Sequence, residues 1–468
     1  MSHFSLIYLS FFSIIISVLS FFNIIYSYYF NIYLNLNCYI YSLFLSLVLG
    51  LSFLFKENDK NKISIYHKIL IVILGYFILP LIISIPFYTS IYNISFLDAY
   101  FESISGFTST GFTIFNNIKH LDESLILWRS SSQWVGGLYF LFSLILLIDI
   151  FDENIKKSLT NFLSFNISET FKQSFKILIL YFILTVLIFL ILKLFDFRTF
   201  DSFNLSMSLI SSGGFLPANS LSTMVNTNTK EIIFSFLMLV SFFSIFLSYN
   251  LIFFTKKNIN FFQEDFYLFI YFLCLSLLFF LFFNYNYDFS SVFLSLISSI
   301  SNFGFSLDNT SKELSFLFLI LVIIGGSFFS TSSGIRFLKL FSLFKFSINN
   351  LISHVKPKNI FLNKNYFFKI SFKDADANKY FLSVMFFIIS LSFLSIFLTF
   401  SGISFENSFK LSILTLMNTT NSSMYGLYGF NFEELEFITK FYLIIFMIIG
   451  RVELLTIFII FKKYLFRN

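Results

Sequence analysis

Phe107-Thr108-Ser109-Thr110-Gly111-Phe112 is a short polar break in an otherwise apolar chain. It follows the amphipathic stretch 98–106, too short to cross a bilayer, and precedes the charge-free run 130–148. Two further breaks keep the same order: Ile210-Ser211-Ser212-Gly213-Gly214-Phe215 and Ile300-Ser301-Asn302-Phe303-Gly304-Phe305. In all three, a β-branched or aromatic residue precedes the polar pair and phenylalanine follows the glycine. Repetition at matching places is a fold-level signal. The unit is a span, a short apolar stretch, a Gly/Ser/Thr-rich break and a second span, and it recurs four times.

Outward from these breaks the chain is membrane-like. Of 468 residues, 57% are hydrophobic and 12% charged, whereas soluble domains carry about 25% charged residues. That excludes a string of soluble domains. A spanning helix needs about 20 mostly apolar residues. Residues 4–55 hold no charge and make two spans with a turn near 31–37. The runs 69–97, 130–148, 177–192, 232–255, 266–287, 314–335, 380–405 and 437–461 complete ten. The expected fold is an all-α integral membrane protein with about ten transmembrane helices and four re-entrant pore loops in a pseudo-fourfold repeat. Its expected parts are an N-terminal two-helix hairpin (1–55), pore repeats at 67–150, 172–255, 265–345 and 380–468, and a cytoplasmic loop at 346–379. The 78 phenylalanines fit the codon bias of an AT-rich genome and carry no functional inference. Cys38 and Cys274 lie in separate apolar segments and support neither a disulfide framework nor a metal site.

Non-helical backbone at membrane depth survives only where it is buried or lines a water-filled path. Four such breaks around one axis would surround a pore, and carbonyl rings in such a filter replace a cation's hydration shell. The candidate filter residues are Thr108, Ser109, Thr110 and Gly111; Ser211, Ser212, Gly213 and Gly214; Ser301, Asn302, Phe303 and Gly304; and Asn418, Thr419 and Thr420. Loop charge sets orientation. One side carries 22 Lys/Arg and 10 acidic residues (+12), the other 8 and 14 (−6), leaving Arg451 and Glu453 in the membrane. The +12 side is expected to be cytoplasmic, with both termini inside. Arg129 lies near the outer end of its span, where snorkelling is the expected role. G-x-S-x-G, H-E-x-x-H and G-x-x-x-x-G-K-[ST] are absent from the sequence, so an enzyme or ATPase reading has no support. His3, His67, His120 and His354 form no ligand set.

Five ordered motifs resemble the TrkH/KtrB/HKT superfamily of potassium, sometimes sodium, transporters. They are Phe101 to Gly111, Trp128-Arg129-Ser130-Ser131-Ser132-Gln133-Trp134-Val135-Gly136-Gly137, Ser211 to Phe215, Gly325 to Arg336, and Met447 to Glu453. The two extra N-terminal spans resemble TrkH more than the eight-span KtrB. The resemblance implies potassium as the substrate and no cofactor in this chain, with an intramembrane gating loop containing Gly325, Gly326, Ser327 and Gly334. It also implies that Arg451 is a positive barrier beneath the filter, although a structural tie or snorkelling reads equally from the residue alone. Implied partners are a second copy in a homodimer and a cytosolic nucleotide-binding subunit of the TrkA/KtrA type. The nine basic residues of 336–379 could also meet lipid headgroups; nucleic acid is not expected. The implied location is a bacterial cytoplasmic (inner) membrane.

Two departures from the family pattern matter. In Met417-Asn418-Thr419-Thr420-Asn421, counting from Phe409 puts the expected glycine near Thr419 or Thr420, and counting back from Gly450 puts it near Ser422. A hydroxyl residue there leaves sodium open beside potassium. The gating loop ends Ser333-Gly334-Ile335-Arg336 where the family typically has Gly-Gly-Ile-Lys, which suggests that a cytoplasmic anchoring charge is kept. A secondary transporter of a small solute, built on discontinuous helices, is the competing class.

Overall fold

The computed structural model describes residues 3–54, 65–147, 170–248, 263–283, 288–307, 314–355, 374–427, 430–452 and 456. Helices α1 (His3–Tyr29) and α2 (Leu36–Leu54) are joined by a turn that passes through Asn31 in the left-handed region (φ 58°). The first repeat is α3 (Ile65–Thr89), α4 (Phe96–Phe107) and α5 (Glu123–Leu146). The second is α6 (Thr170–Leu194), α7 (Thr199–Ser211) and α8 (Asn228–Phe242). The third runs α9 (Gln263–Phe283), α10 (Phe289–Ile300) and α11 (Ser315–Ile323). It continues through β1 (Ile324–Gly325) and β2 (Ile335–Arg336) into α12 (Phe337–Val355). The fourth is α13 (Asp374–Phe400), α14 (Phe405–Leu416) and α15 (Phe437–Arg451).

Among the described residues, Tyr8–Tyr29, Ile65–Thr89, Phe175–Leu194, Glu264–Leu281 and Ala377–Phe400 are long and apolar enough to cross a bilayer. The middle helix of each repeat is not. At 12 or 13 residues and 1.5 Å per residue, α4, α7, α10 and α14 reach only about 18–20 Å of a hydrocarbon core about 30 Å thick. Most of their buried serines bond locally: Ser103, Ser206, Ser299 and Ser412 each donate to a carbonyl three or four residues back in their own helix, whereas the hydroxyls of Ser290 and Ser298 on α10 have no partner among the described residues. That local bonding lets a polar residue sit in an apolar layer. Outward faces of α6, α9 and α13 expose Phe182, Phe266 and Phe393, as a lipid-facing surface requires.

α5 carries its repeat's close packing. A Cβ on Gly136 would strike the Phe107 carbonyl at the end of α4, and one on Gly450 of α15 would strike the Leu416 carbonyl at the end of α14. The two glycines do the same job in repeats one and four, letting each inner helix touch the end of its short helix. Glu453 and the tail after 461, together with most of the lysines on the basic side, lie outside the described residues.

Candidate functional site

All four short helices end alike. The chain passes through the left-handed region at Ser109 (φ 57°), Ser212 (φ 55°), Asn302 (φ 62°) and Asn418 (φ 46°). The next N–H, of Thr110, Gly213, Phe303 or Thr419, bonds five residues back to the carbonyl of Ser105, Ser208, Ser298 or Leu414 at 2.8–2.9 Å. The left-handed residue's own N–H reaches the carbonyl three back, at Gly106, Leu209, Ser299 or Thr415. This paired pattern is the Schellman termination. It turns the chain sharply out of the helix axis and leaves the negative end of each helix dipole at the turn, where it favours a cation.

The ends therefore define the register of the candidate filter. Thr108, Ser211 and Ser301 complete their helices: Thr108 Oγ1 donates to Ile104 O (2.8 Å), Ser211 Oγ to Met207 O (2.9 Å) and the Ser301 N–H to Ile297 O (2.9 Å). The extended segments are 109–111, 212–214, 302–304 and 418–420. Each ends two residues after its left-handed turn, so Thr420 takes the place of Gly111, Gly214 and Gly304. Ser422, the other candidate, instead precedes a short 3₁₀ turn at Ser423–Tyr425. Its assignment to the glycine place is overturned by the register of the turn.

The four segments are laced together. Ser212 Oγ donates to Ser301 O (2.6 Å), Asn302 Nδ2 to Thr419 Oγ1 (3.3 Å) and Asn418 Nδ2 to Thr110 Oγ1 (3.0 Å). Asn302 and Asn418 also donate to Val322 O and Met447 O on the inner helices of their own repeats. Thr420 touches all three neighbours. Its N–H bonds to Phe303 O (3.3 Å), its Oγ1 donates to Thr110 O (3.0 Å), and a Cβ on Gly214 would run into its hydroxyl. Gly111 and Gly304 take φ of 81° and 79°, a conformation Thr420 does not share and a β-branched residue avoids.

Cavities lie at both ends of these segments. One, of about 250 Å³, is lined by Gly111, Gly214, Gly304 and Thr420 with the residues that follow them. The other, of about 40 Å³, is lined by Phe140, Ser333, Gly334, Arg336, Lys339 and Arg451. Arg451, on the wall of the smaller cavity, is buried (2% exposed). Its Nη1 donates to Ser333 Oγ, its Nη2 to Ser109 Oγ (3.4 Å), and its guanidinium lies 4.1 Å from the Phe140 ring centre. It ties the turn at Ser109 to the interrupted helix.

That interruption is a folded object. β1 and β2 pair in parallel, Ile324 with Ile335 and Gly325 with Arg336. The intervening loop docks on the end of α8, with Ser327 N–H to Phe242 O (3.0 Å) and Ser332 N–H to Ser241 O (3.2 Å), and on α9 through Phe328 N–H to Glu264 Oε1 (2.8 Å). Thr331 Oγ1 donates to Ile210 O (2.7 Å), next to the second filter segment. Arg336 is 2% exposed. Its Nη1 donates to Ser327 O (3.1 Å), Ser332 O (2.8 Å) and Ser330 Oγ (3.2 Å). The side chain closes the loop on itself, so the expectation of a cytoplasmic anchor is corrected: the loop's own carbonyls are what this charge satisfies.

Arg129 is also corrected. It does not snorkel; it is 1% exposed and paired with Glu102 at 2.8 Å. Sequence position fixed its depth along α5 but not the direction it faces. Beside it lies Gln133, whose position in the sequence carries no signal of a role. With its amide oxygen turned to the second filter, Gln133 accepts from Gly214 N–H and Phe215 N–H (3.0 Å each), and its nitrogen donates to Ser208 Oγ.

Comparison with known proteins adds four findings. The family described as TrkH, cation transport protein, matches residues 37–285, more than half of the chain. An uncharacterized cation transporter of Methanocaldococcus jannaschii is 26% identical over 94% of this chain and 91% of its own length. The Trk system potassium uptake protein TrkH of Salmonella typhimurium is 25% identical over 91% of each chain. The crystal structure of the potassium transporter TrkH from Vibrio parahaemolyticus has the same fold, with a TM-score of 0.78 at 21% identity over 97% of this chain and 98% of that one.

Proposed function

This chain belongs to the TrkH family of cation transport proteins, and we propose that it takes up potassium through the four extended segments, gated by the loop between β1 and β2. Membership makes it a multi-pass membrane transporter and not an enzyme. The observation that supports the potassium reading is the fourfold identity of the helix terminations, whose extended segments are laced together by hydrogen bonds and line one cavity. Four helix C-termini and their carbonyls suit a monovalent cation shedding water. Parallel fourfold repetition fits a pore better than the two inverted halves common in secondary transporters.

Arg451 acts as the barrier in this reading. A buried guanidinium in line with the filter repels a cation until the loop holding Ser333 moves. The large cavity faces outward and both termini face the cytoplasm of the inner membrane, following the +12 and −6 split of loop charge. The parts at 67–150, 172–255, 265–345 and 380–468 each contribute one quarter of the pore. The chain assembles as a homodimer with a nucleotide-binding regulatory subunit of the TrkA type at its basic face.

Thr420 favours a second reading, a sodium-permeable transporter, because its hydroxyl occupies the place of the fourth glycine. Growth at low potassium of an uptake-deficient bacterium expressing the chain tests the first reading. Rescue is expected; failure with and without a regulatory subunit sinks it. Reversal potentials under opposed potassium and sodium gradients separate the two cations.

A further inference from the structure

Glu102 on α4 and Arg129 on α5 form an ion pair that the filter mouth does not share out evenly. Both are buried, at 0% and 1% exposure. Arg129 Nε donates to Glu102 Oε1 at 2.8 Å, Nη2 to Thr113 Oγ1 at 3.0 Å and Nη1 to Leu216 O at 3.5 Å. The guanidinium also covers the Phe215 ring at 4.2 Å and the Phe115 ring at 5.6 Å. Glu102 accepts from Ile114 N–H (3.0 Å) and Thr113 Oγ1 (3.1 Å). The pair thus grips the strands leaving the first and second filter segments, supplying a donor to one and an acceptor to the other. Arg129 lines the 250 Å³ cavity beside Gly111, Gly214, Gly304 and Thr420, whereas Glu102 does not.

A fixed positive charge on the wall of a cation's entrance lowers local cation concentration, and low-dielectric walls focus that field. Apolar residues could hold two strands without that penalty, but they could not satisfy the non-helical N–H and C=O groups that Glu102 and Arg129 satisfy here. We propose that Glu102, besides bracing the first two filter strands, cancels the charge that Arg129 presents to the entrance cavity, so that the brace is electrically neutral to an arriving cation. Both residues are positioning residues. The proposal rests on the reading that cations enter through this cavity.

Potassium influx into proteoliposomes bearing the full-length chain tests it, with Glu102→Gln, Arg129→Gln and the double variant compared. Glu102→Gln unmasks one positive charge and is expected to raise KM about tenfold, an effect that weakens as salt screens the cavity. The double variant restores neutrality and is expected to return KM to within about threefold of the unmodified chain, given the distances over which one charge acts. Arg129→Gln alone strands a buried carboxylate without its counter-charge, and such a group takes up a proton, so KM is expected to stay within about threefold of the unmodified chain. A strut without an electrostatic role would lower Vmax in all three and leave the double variant the worst; that result overturns the proposal. If Glu102→Gln does not fold, the double variant decides alone, and a KM more than about threefold above that of the unmodified chain overturns it. Misfolding of every variant likewise makes the pair a strut only. No influx through the unmodified chain overturns the transport reading and this one with it, whereas influx indifferent to Glu102→Gln overturns this one alone.

Discussion

Thr420 is the residue at which the fourfold pattern fails, and the failure has a direction. Its hydroxyl is bonded to the Thr110 carbonyl and its amide to the Phe303 carbonyl, so two oxygens of the filter segments are engaged by protein. Freeing them costs about 0.5–1.5 kcal/mol per hydrogen bond. Thr420→Gly removes the hydroxyl from Gly214 and lets the fourth segment adopt the φ of Gly111 and Gly304. The variant is expected to raise potassium flux several-fold and the potassium-to-sodium permeability ratio about tenfold, equivalent to about 1.4 kcal/mol. Bi-ionic reversal potentials check it; an unshifted ratio removes Thr420 from the selectivity argument. Its register was within reach of the sequence. Asn302-Phe303-Gly304 and Asn418-Thr419-Thr420 align on the asparagine, the residue that best tolerates the left-handed turn after glycine. Spacing from Phe409 instead assumed helices of equal phase. Arg129 was out of reach, because its partner lies 27 residues away on another helix and no periodicity reports that pairing.

Elements were easier to read than side chains. Spans, short helices and breaks follow from charge-free runs and Gly/Ser/Thr clusters, because a bilayer penalises any unsatisfied backbone group severely. What the pattern could not give is how an interrupted helix stays folded. In the loop between β1 and β2, one arginine supplies the answer. Arg336 donates to Ser327 O, Ser332 O and Ser330 Oγ, and hydrogen bonds from a charged donor are worth about 1.5–3 kcal/mol each. Arg336→Gln is expected to loosen the loop and raise basal flux about tenfold, since even one lost bond of that size exceeds the 1.4 kcal/mol of a tenfold change. Arg451→Ala should raise basal flux as well by removing the barrier charge. With the regulatory subunit proposed above the two are expected to differ: Arg451→Ala should stay leaky, whereas Arg336→Gln should still close partly through Arg451. Valinomycin-free potassium efflux from loaded vesicles measures both, and unchanged efflux from Arg451→Ala would leave that residue a structural tie.

At the scale of the molecule, the remaining question is which cavity faces the medium, and charge gives the answer to be tested. If the side with 22 basic residues is cytoplasmic and the side with 8 is not, as the retention of Lys and Arg during insertion predicts, the 250 Å³ cavity lies outside. Two exposed positions on opposite sides of that assignment can be labelled: Thr223, in the loop that follows the second filter segment, and Ser347 on α12. Cys38 is buried and Cys274 exposed on the apolar α9, so both are first replaced by serine to give a silent background. In intact cells a membrane-impermeant maleimide should then label Thr223→Cys and leave Ser347→Cys untouched until the membrane is opened. The reverse pattern would turn the whole assembly over. The small cavity under Arg451 would then face the medium, and the charge at Arg451 would guard the entry of the path instead of its exit. The uptake reading, the outward vestibule and the docking of a regulatory subunit at the basic face therefore stand or fall together on this one measurement.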